Sequence, residues 1–403
     1  MEVKKCRVCG SSDLWSIIDL GRLAFTGIFP KKGERVKKGR LELIKCRKCG
    51  LVQLRDNFDL KEMYGDSYGY RSGLNDSMVQ HLSRIAEKVM NSTNLNFGFN
   101  IKDELVLPKD IIIDIGSSDG TLLGLLPETL RLIGIDPTIK KFGKYYEPHI
   151  GKIPEFFSKG QVEEKAKVIT SLAMLYDLHD PLQFFQDVCD SLVDDGIWIT
   201  EQCYLPSMID NLTYDTICHE HVEYYGLKQI KYMADKVGLK IVDVELNDIN
   251  GGSFCVTMSK LGKESPMVES FLKKEERFDY EEPFANFAWR IRKHKRMVQS
   301  FFRKNEDKLV LGYGASTKGN VILQHCEITK KQMPFIGEVN EDKFGRLTPG
   351  TRIPIINEVE AREMNPDFFF VLPWHFRVGI TKKERAFRKK GKLVFPLPNL
   401  EVV

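Results

Sequence analysis

The sequence predicts an α/β chain in three parts: a zinc-binding N-terminal segment, a central doubly wound unit and a second, C-terminal Rossmann-like unit. Three observations predict it. Four cysteines stand in two copies of C-x-x-C-G, at Cys6/Cys9 and Cys46/Cys49. Apolar runs of strand length alternate with helical patterns from Ile111 onward. A glycine-bearing turn follows the first strand of each α/β unit, at Gly116–Gly120 and at Gly312–Gly314. The divisions fall at 1–74, 75–262 and 263–403.

In the first part, Cys6-Arg-Val-Cys9-Gly and Cys46-Arg-Lys-Cys49-Gly each form a knuckle whose backbone N–H groups can face thiolate sulfur. Two knuckles supply the four ligands of a tetrahedral zinc. Unrelated thiols would not repeat the glycine, and a redox C-x-x-C is usually single and sits at a strand–helix junction. Four thiolates leave no open coordination position, so the expected role is folding. The chain between the knuckles needs its own hairpin or loop, and Leu20–Pro30 reads as a loop reaching another part of the molecule.

A helical pattern covers Asn75 to Met90. Ile111–Ile115, Leu132–Asp136, Lys167–Thr170 and Gly196–Glu201 are near-continuous apolar runs, as in strands buried on both faces of a parallel sheet. Helical patterns lie at Asp180–Leu192, with Asp180 as N-cap and Pro181 opening the helix, and at Gln229–Val237, stopped by Gly238. Lys240–Leu246 and Ser253–Lys260 read as a closing strand pair. An amphipathic connector, Pro283 to Lys304, leads to the last unit, with strands from Leu309, at Phe335–Gly337, at Phe368–Leu372 and from Leu393.

Composition narrows the function. Over 403 residues, 42% hydrophobic and 29% charged residues exclude a disordered or collagen-like chain. A formal charge of +4 is too small for nucleic-acid binding by electrostatics alone, although Lys4, Lys5, Arg7, Arg47 and Lys48 near the knuckles would suit a zinc-ribbon adaptor. No apolar run approaches the ~18–20 residues that span a membrane. With no apolar leader at the start, the expected compartment is the cytoplasm, where nine cysteines need a reason other than disulfides.

Two segments carry chemistry. The first strand turns into Asp114-Ile-Gly116-Ser117-Ser118-Asp119-Gly120, and the next ends in Asp136, about twenty residues on, where a carboxylate can accept from ribose hydroxyls. The spacing is not G-x-G-x-x-G, and Asp119 suits a cationic amino-acid ligand better than a pyrophosphate. The turn resembles motif I of class I S-adenosylmethionine-dependent methyltransferases, and Ser171 completes the expected cofactor set. The second segment, Tyr214–Tyr225, holds Cys218-His219-Glu220-His221, the densest group of acid/base side chains in the chain. His-Glu-His lacks the i, i+4 histidine spacing of a helical metal site, so base chemistry is the expectation. Tyr224 and Tyr225 are expected in the pocket wall.

Several motifs in one order resemble the sugar methyltransferases that make branched deoxysugars, such as the mycarose and tetronitrose C-3 methyltransferases. These motifs are the paired C-x-x-C-G, Tyr68/Tyr70/Ser72, the Asp-Ile-Gly turn, Asp215-Thr-Ile followed by His-Glu-His221, and Gly251-Gly252-Ser253-Phe254. They continue with Gly312-Tyr-Gly-Ala-Ser-Thr-Lys318-Gly-Asn320, Thr348-Pro-Gly-Thr351, Leu372-Pro-Trp374 and Phe395-Pro-Leu-Pro398. The resemblance implies S-adenosylmethionine and structural zinc as cofactors, a nucleotide-linked 4-keto sugar as substrate, and methylation of carbon through an enolate. It implies His221 as base with Glu220 beside it, and a site completed by His219, Cys218 and Tyr70. The family carries Tyr at Cys218, a later His at Asp177 and Asn at His375. Cys218 is expected as a neutral filler, with weak donation the alternative.

Other readings keep the same residues. A sugar O-methyltransferase would use His221 on a hydroxyl, and a NAD-linked sugar oxidoreductase would use the Gly312–Gly314 turn. Lys318 and the Gly312–Gly319 turn would hold the acceptor's diphosphate or would be a solvated turn. The expected partner is the nucleotide-linked sugar, with no nucleic acid and no membrane, and the chain is expected as a monomer or weak homo-oligomer.

Overall fold

A computed structural model of the protein describes residues 1–64, 70–93 and 110–403. Tyr68 of the tyrosine motif lies outside them. The N-terminal strands β1 (Leu14–Ala24), β2 (Lys38–Cys46) and β3 (Val52–Leu54) form an antiparallel meander. The expected hairpin between the knuckles is therefore a sheet, with one knuckle before β1 and the other at the end of β2.

Next come β4 (Ile111–Ile115), β5 (Arg131–Ile135), β6 (Gly151–Ile153), β7 (Ala166–Leu172) and β8 (Leu192–Cys203), all parallel, in the spatial order β6-β5-β4-β7-β8. Every residue of β4 is buried, as strands covered on both faces require. The chain then leaves this sheet. Its two-residue strand β9 (Glu223–Tyr224) pairs with β3, Val52 opposite Tyr224, and so extends the N-terminal sheet. An antiparallel hairpin, β10 (Lys240–Asn247) and β11 (Ser253–Ser259), returns and lays β11 against β8. The strand order reverses between β4 and β7, which opens a crevice at their C-terminal ends.

The C-terminal sheet repeats the plan: β12 (Val310–Tyr313), β13 (Ile336–Glu338), β14 (Ile355–Asn357), β15 (Phe368–Val371) and β16 (Lys392–Phe395) are parallel, and β17 (Glu401–Val402) closes antiparallel. The expected α/β class with two doubly wound units stands. The short strands β6, β9, β14 and β17 have no sequence signal of their own. Local rules hold at the helices. Asp180 accepts from the Gln183 N–H at 3.1 Å and caps Pro181–Ser191, and Gly238, at φ 79°, ends Leu227–Val237.

Packing merges the three parts. One apolar core runs from β1 and β2 through Leu205–Tyr224 and the helix Glu282–Lys304 into the C-terminal sheet. A second joins Cys6, Val8, Cys46 and Leu51 of the knuckles to the central sheet. The loop after β1 is fastened to the C-terminal unit. Gln324 accepts from the Ala24 N–H at 2.7 Å and donates to its carbonyl at 3.1 Å. Asn320 donates to the Thr26 carbonyl at 2.7 Å, and the Leu347 N–H donates to the Pro30 carbonyl at 2.9 Å. Among the described residues, no helix is long and apolar enough to cross a membrane.

Gln324→Ala keeps the best helix former in the helix but strips both partners from the Ala24 backbone. Leaving two part-buried groups unmet costs about 1–3 kcal/mol, so a thermal melt should begin earlier than in the wild type.

Candidate active site

The knuckles come first, because the site hangs from them. The four Sγ atoms lie within 4.8 Å of one another, with Cys6–Cys49 at 3.5 Å and Cys9–Cys46 at 3.6 Å. Zn–S bonds of about 2.3 Å in a tetrahedron give sulfur–sulfur edges of about 3.8 Å, so the set fits zinc. Both knuckles make the same hydrogen bonds, Gly10 N–H to Cys6 and Gly50 N–H to Cys46 at 2.9 Å, with Gly10 and Gly50 at φ 70° and 78°.

From inside the first knuckle, the Arg7 guanidinium reaches out. It donates to the Leu54 carbonyl at 2.8 Å, to Gln53 Oε1 at 3.0 Å and to the Val222 carbonyl at 3.3 Å. Val222 follows His221 directly. Together with the β3–β9 pairing, this ties the metal knot to the His-Glu-His segment.

Within that segment the two histidines differ. His219 is fully buried between Phe25 and Phe58, with ring centroids at 4.8 and 4.9 Å, and its Nε2 faces the Gly39 carbonyl at 3.3 Å. Burial pushes its pKa down to about 4. His221 is only partly buried. Its Nδ1 lies 3.1 Å from the Thr216 carbonyl, and its ring packs on Tyr176 with centroids 4.1 Å apart. Nδ1 is equally close, 3.1 Å, to Thr216 Oγ1, which can accept as well as donate; because the carbonyl only accepts, a hydrogen on Nδ1 suits both contacts and assigns the lone pair to Nε2, which has no partner among the described residues. Burial, then the positive charge of Lys318, push the His221 pKa down to about 3, which keeps the imidazole neutral. The Tyr224 hydroxyl donates to the His221 carbonyl at 2.9 Å and holds its backbone.

Glu220 accepts from Thr26 Oγ1 at 3.1 Å, while its Oε1 is buried without a partner. Burial raises its pKa. Asp177 accepts from the Tyr64 hydroxyl, has its Oδ1 unmet, and is pushed far above the usual carboxylate range by burial. Cys218 is fully buried and its thiol is held neutral, as a filler would be. Tyr225 departs from expectation: its hydroxyl donates to Glu223, and it packs in the core with the knuckle residues, away from a pocket wall.

The cofactor turn lies at the crevice. Gly116, Ser118 and Gly120 have φ 77°, 49° and 75°. A Cβ at Gly120 would meet the Tyr146 ring at 2.9 Å, and Tyr146 in turn donates to Ser117 Oγ at 2.7 Å. Asp136 accepts from the Ser118 N–H at 2.9 Å and the Thr138 N–H at 2.6 Å, so it shapes the turn as well as facing it. Ser118 Oγ and Thr138 Oγ1, on either side, are buried and unpartnered, which fits a hydroxyl-bearing ligand. Asp114 accepts from Thr170 Oγ1 at 2.6 Å, and burial lifts its pKa to about 7. Asp119 accepts from the Gly73 N–H at 3.2 Å and pairs with Arg71 at 3.4 Å, which lays the 71–73 segment over the turn. Tyr70, 48% exposed, belongs to this covering segment rather than to the His-Glu-His group. Ser171 departs from expectation. Its hydroxyl is buried, accepting from Trp198 Nε1 at 2.8 Å and bonded to Thr200 Oγ1 at 3.0 Å, and is not offered to the crevice.

Lys318 also sits differently from expectation. Ser316 caps its helix by accepting from the Gly319 N–H at 2.9 Å, and Glu338 takes the Ala315 N–H at 2.8 Å, so the turn's donors are partly spent. The ammonium crosses to the central unit, 3.1 Å from the Asn250 carbonyl and 3.9 Å from Cys203 Sγ. Sequence reasoning missed Thr26, Thr216, Tyr176 and Asn320 as neighbours of the site. Of these, only Thr216 and Asn320 lie inside motifs that stand out in the sequence.

Family models match all three parts of the chain. Residues 6–64 match the family description "Putative zinc binding domain", 75–244 "Methyltransferase domain" and 248–398 "C-methyltransferase C-terminal domain". The C-methyltransferase NovU of Streptomyces niveus is 27% identical over 424 residues, covering 100% of this chain and 97% of its own. Among solved structures, LepI bound to S-adenosylmethionine aligns at 15% identity and TM-score 0.34 over 47% of this chain. The aligned part is 53% of LepI, about half its length. The N-methyltransferase NodS of Bradyrhizobium japonicum WM9 aligns at 12% identity and TM-score 0.34, over 45% of this chain and 97% of its own.

Zinc analysis should find one metal per chain. Cys46→Ser should lose it and free the sheet that carries β9, seen as increased proteolysis at the N-terminal segment. Asp136→Ala removes an acceptor from the ligand and from two N–H groups of the turn. With charged hydrogen bonds contributing about 1.5–3 kcal/mol, S-adenosylhomocysteine affinity by calorimetry should fall at least about tenfold.

Proposed function

We propose that this chain, which belongs to the S-adenosylmethionine-dependent C-methyltransferases with a zinc-binding N-terminal domain, methylates a carbon beside the ketone of a nucleotide-linked sugar. The observation that carries the reading is the His221 hydrogen bond to the Thr216 carbonyl, which leaves Nε2 as a neutral, unpartnered base in a partly buried site. When bound, S-adenosylmethionine would supply a methyl group on a sulfonium, an electrophile open to a carbon, oxygen or nitrogen nucleophile. Ser118, Thr138 and Asp136 would take the ribose and adjoining groups, and Asp114 and Asp119 the amino-acid end.

A proton next to a ketone is acidic enough for such a base. His221 Nε2 takes it, and the C–H electron pair becomes the carbon–carbon double bond of an enolate. That carbon would then bond to the methyl as the methyl–sulfur bond breaks and its electron pair stays on sulfur as a neutral thioether; the carbonyl re-forms, and the imidazolium returns its proton to water. Glu220, held by Thr26, stands beside the base in the chain, and burial raises its pKa. Phe25 and Phe58 enclose His219 and leave it a packing role.

A positioned base contributes about 10²–10⁴-fold. His221→Asn should lower kcat by that factor with S-adenosylhomocysteine binding intact, and His219→Asn should cost far less rate and show chiefly in the melt. If neither substitution matters, another group takes the proton, with Tyr70, Asp177 or Cys218 the next candidate. The low His221 pKa has a sign: the neutral, active form persists as pH falls through 6.5, so the wild-type rate should show no acid limb at the ordinary histidine value. Deuterium exchange at the α-carbon of a keto sugar in heavy water distinguishes carbon from oxygen as the acceptor atom, since a hydroxyl acceptor needs no such exchange.

A further inference from the structure

An enolate puts nearly a full negative charge on the former ketone oxygen, and His221 does nothing for that charge. In a site closed to water, the charge needs a donor or cation fixed in advance. Lys318 is such a group. It stands at the second position of the helix Thr317–His325, opposite the His221 segment. Among the described residues no carboxylate lies within ion-pair distance of its Nζ, whose contacts are the Asn250 carbonyl at 3.1 Å and the Cys203 sulfur at 3.9 Å. Both are neutral, and the sulfur is a weak acceptor, so three N–H donors have one good partner. Its charge acts on His221, His375 and Asp215. Near it, His375 Nδ1 and Asp215 Oδ1 are buried without partners. An unpaired cation among unmet polar atoms is costly in the protein alone and is relieved when a polar ligand enters.

The ammonium is also fixed in place. Asn250, at φ 56°, heads the Asn250-Gly251-Gly252 turn, whose glycines sit at φ 91° and 120°. A Cβ on Gly251 would meet the Trp374 ring at 3.1 Å, and Trp374 donates to Asp215 at 2.7 Å. The carbonyl that receives Lys318 is thus locked by close packing.

We propose that Lys318 is a catalytic residue of this reaction: its ammonium donates to the acceptor's ketone oxygen and holds the negative charge formed there as His221 removes the neighbouring proton. The role rests on the enolate reading above. No new bond forms at Lys318, which remains protonated throughout, and the oxygen's charge returns to the carbonyl when carbon takes the methyl.

The test uses the full-length zinc protein with S-adenosylhomocysteine and a panel of nucleoside-diphosphate-linked 4-keto-6-deoxyhexoses in heavy water. It follows deuterium entry at the α-carbon by mass spectrometry, a readout that needs no methyl transfer. Losing one oxyanion donor typically costs 10²–10³-fold, so Lys318→Met should slow exchange at saturating acceptor by about that factor. S-adenosylhomocysteine affinity should be unchanged and the melt no lower than in the wild type, and the acid limb of exchange should move up toward the ordinary histidine value as the nearby charge disappears. A wild-type saturated rate with only a raised KM overturns the proposal and makes Lys318 an anchor for the acceptor's phosphates. A wild type that exchanges no deuterium with any member of the panel overturns the enolate reading itself, and this role with it. If Lys318→Met is unstable, Lys318→Arg replaces it. That variant keeps the charge but misplaces the donor, so it should keep the low acid limb and still exchange slowly; full exchange overturns the proposal.

Discussion

Two backbone pairs between β3 and β9 decide how this molecule is assembled. Strand β9 is two residues long and leaves the central sheet to pair with the N-terminal one, so a segment belonging to the methyltransferase unit finishes a sheet fastened by zinc. Such a short strand has little stability alone. It is held by Arg7 donating to Val222 and by Tyr224 donating back to the His221 carbonyl. The knot's expected role in folding is therefore not separate from chemistry. The same bonds that fold the N-terminal sheet position the imidazole.

The loop after β1 makes the link three-way. Thr26 is gripped through its carbonyl by Asn320 of the C-terminal unit, and its hydroxyl donates to Glu220 of the central unit. Each part supplies one member of a chain that none could form alone. The long separation of these partners in sequence explains why they cannot be seen there. The sequence marks Leu20–Pro30 as a loop reaching another part of the molecule, and it does reach the C-terminal unit, but nothing in the sequence singles out Thr26 within it.

What could be read directly was local. The repeated C-x-x-C-G specifies a knuckle because glycine alone adopts φ 70–78° without strain, and both knuckles have that geometry. The runs at Ile111–Ile115 and Phe368–Val371 are strands because they are apolar at every position but Asp114. Residue type misled where the direction of a side chain decides. Ser171 occupies the end of β7, where cofactor contacts are common, but its hydroxyl is taken up by Trp198 and Thr200 beneath the sheet. Tyr225 and Tyr224 are adjacent, and alternation sends only one toward His221. Spacing could not rank His219 and His221 either. The structure separates them by surroundings: His219 is fully buried between two phenylalanine rings, while His221 packs on Tyr176 and is only partly buried.

The two doubly wound units show how one plan serves two ends. In the central unit, Asp136 at the end of β5 accepts from two N–H groups, while hydroxyls beside it remain unmet. In the C-terminal unit, Glu338 ends β13 in the corresponding place. It accepts from the Ala315, Val339 and Asn340 N–H groups at 2.8–3.0 Å, and Lys343 lies 3.7 Å away. Lys343 also donates to the Ala315 carbonyl at 2.8 Å, across the turn itself. A carboxylate that would face ribose hydroxyls in a dinucleotide site is here consumed by the protein. With its own crevice braced in this way, the second unit presents outward the helix that carries Lys318 and Asn320. Its contribution to the site is a rigid wall bearing one cation, where the first unit contributes an open turn.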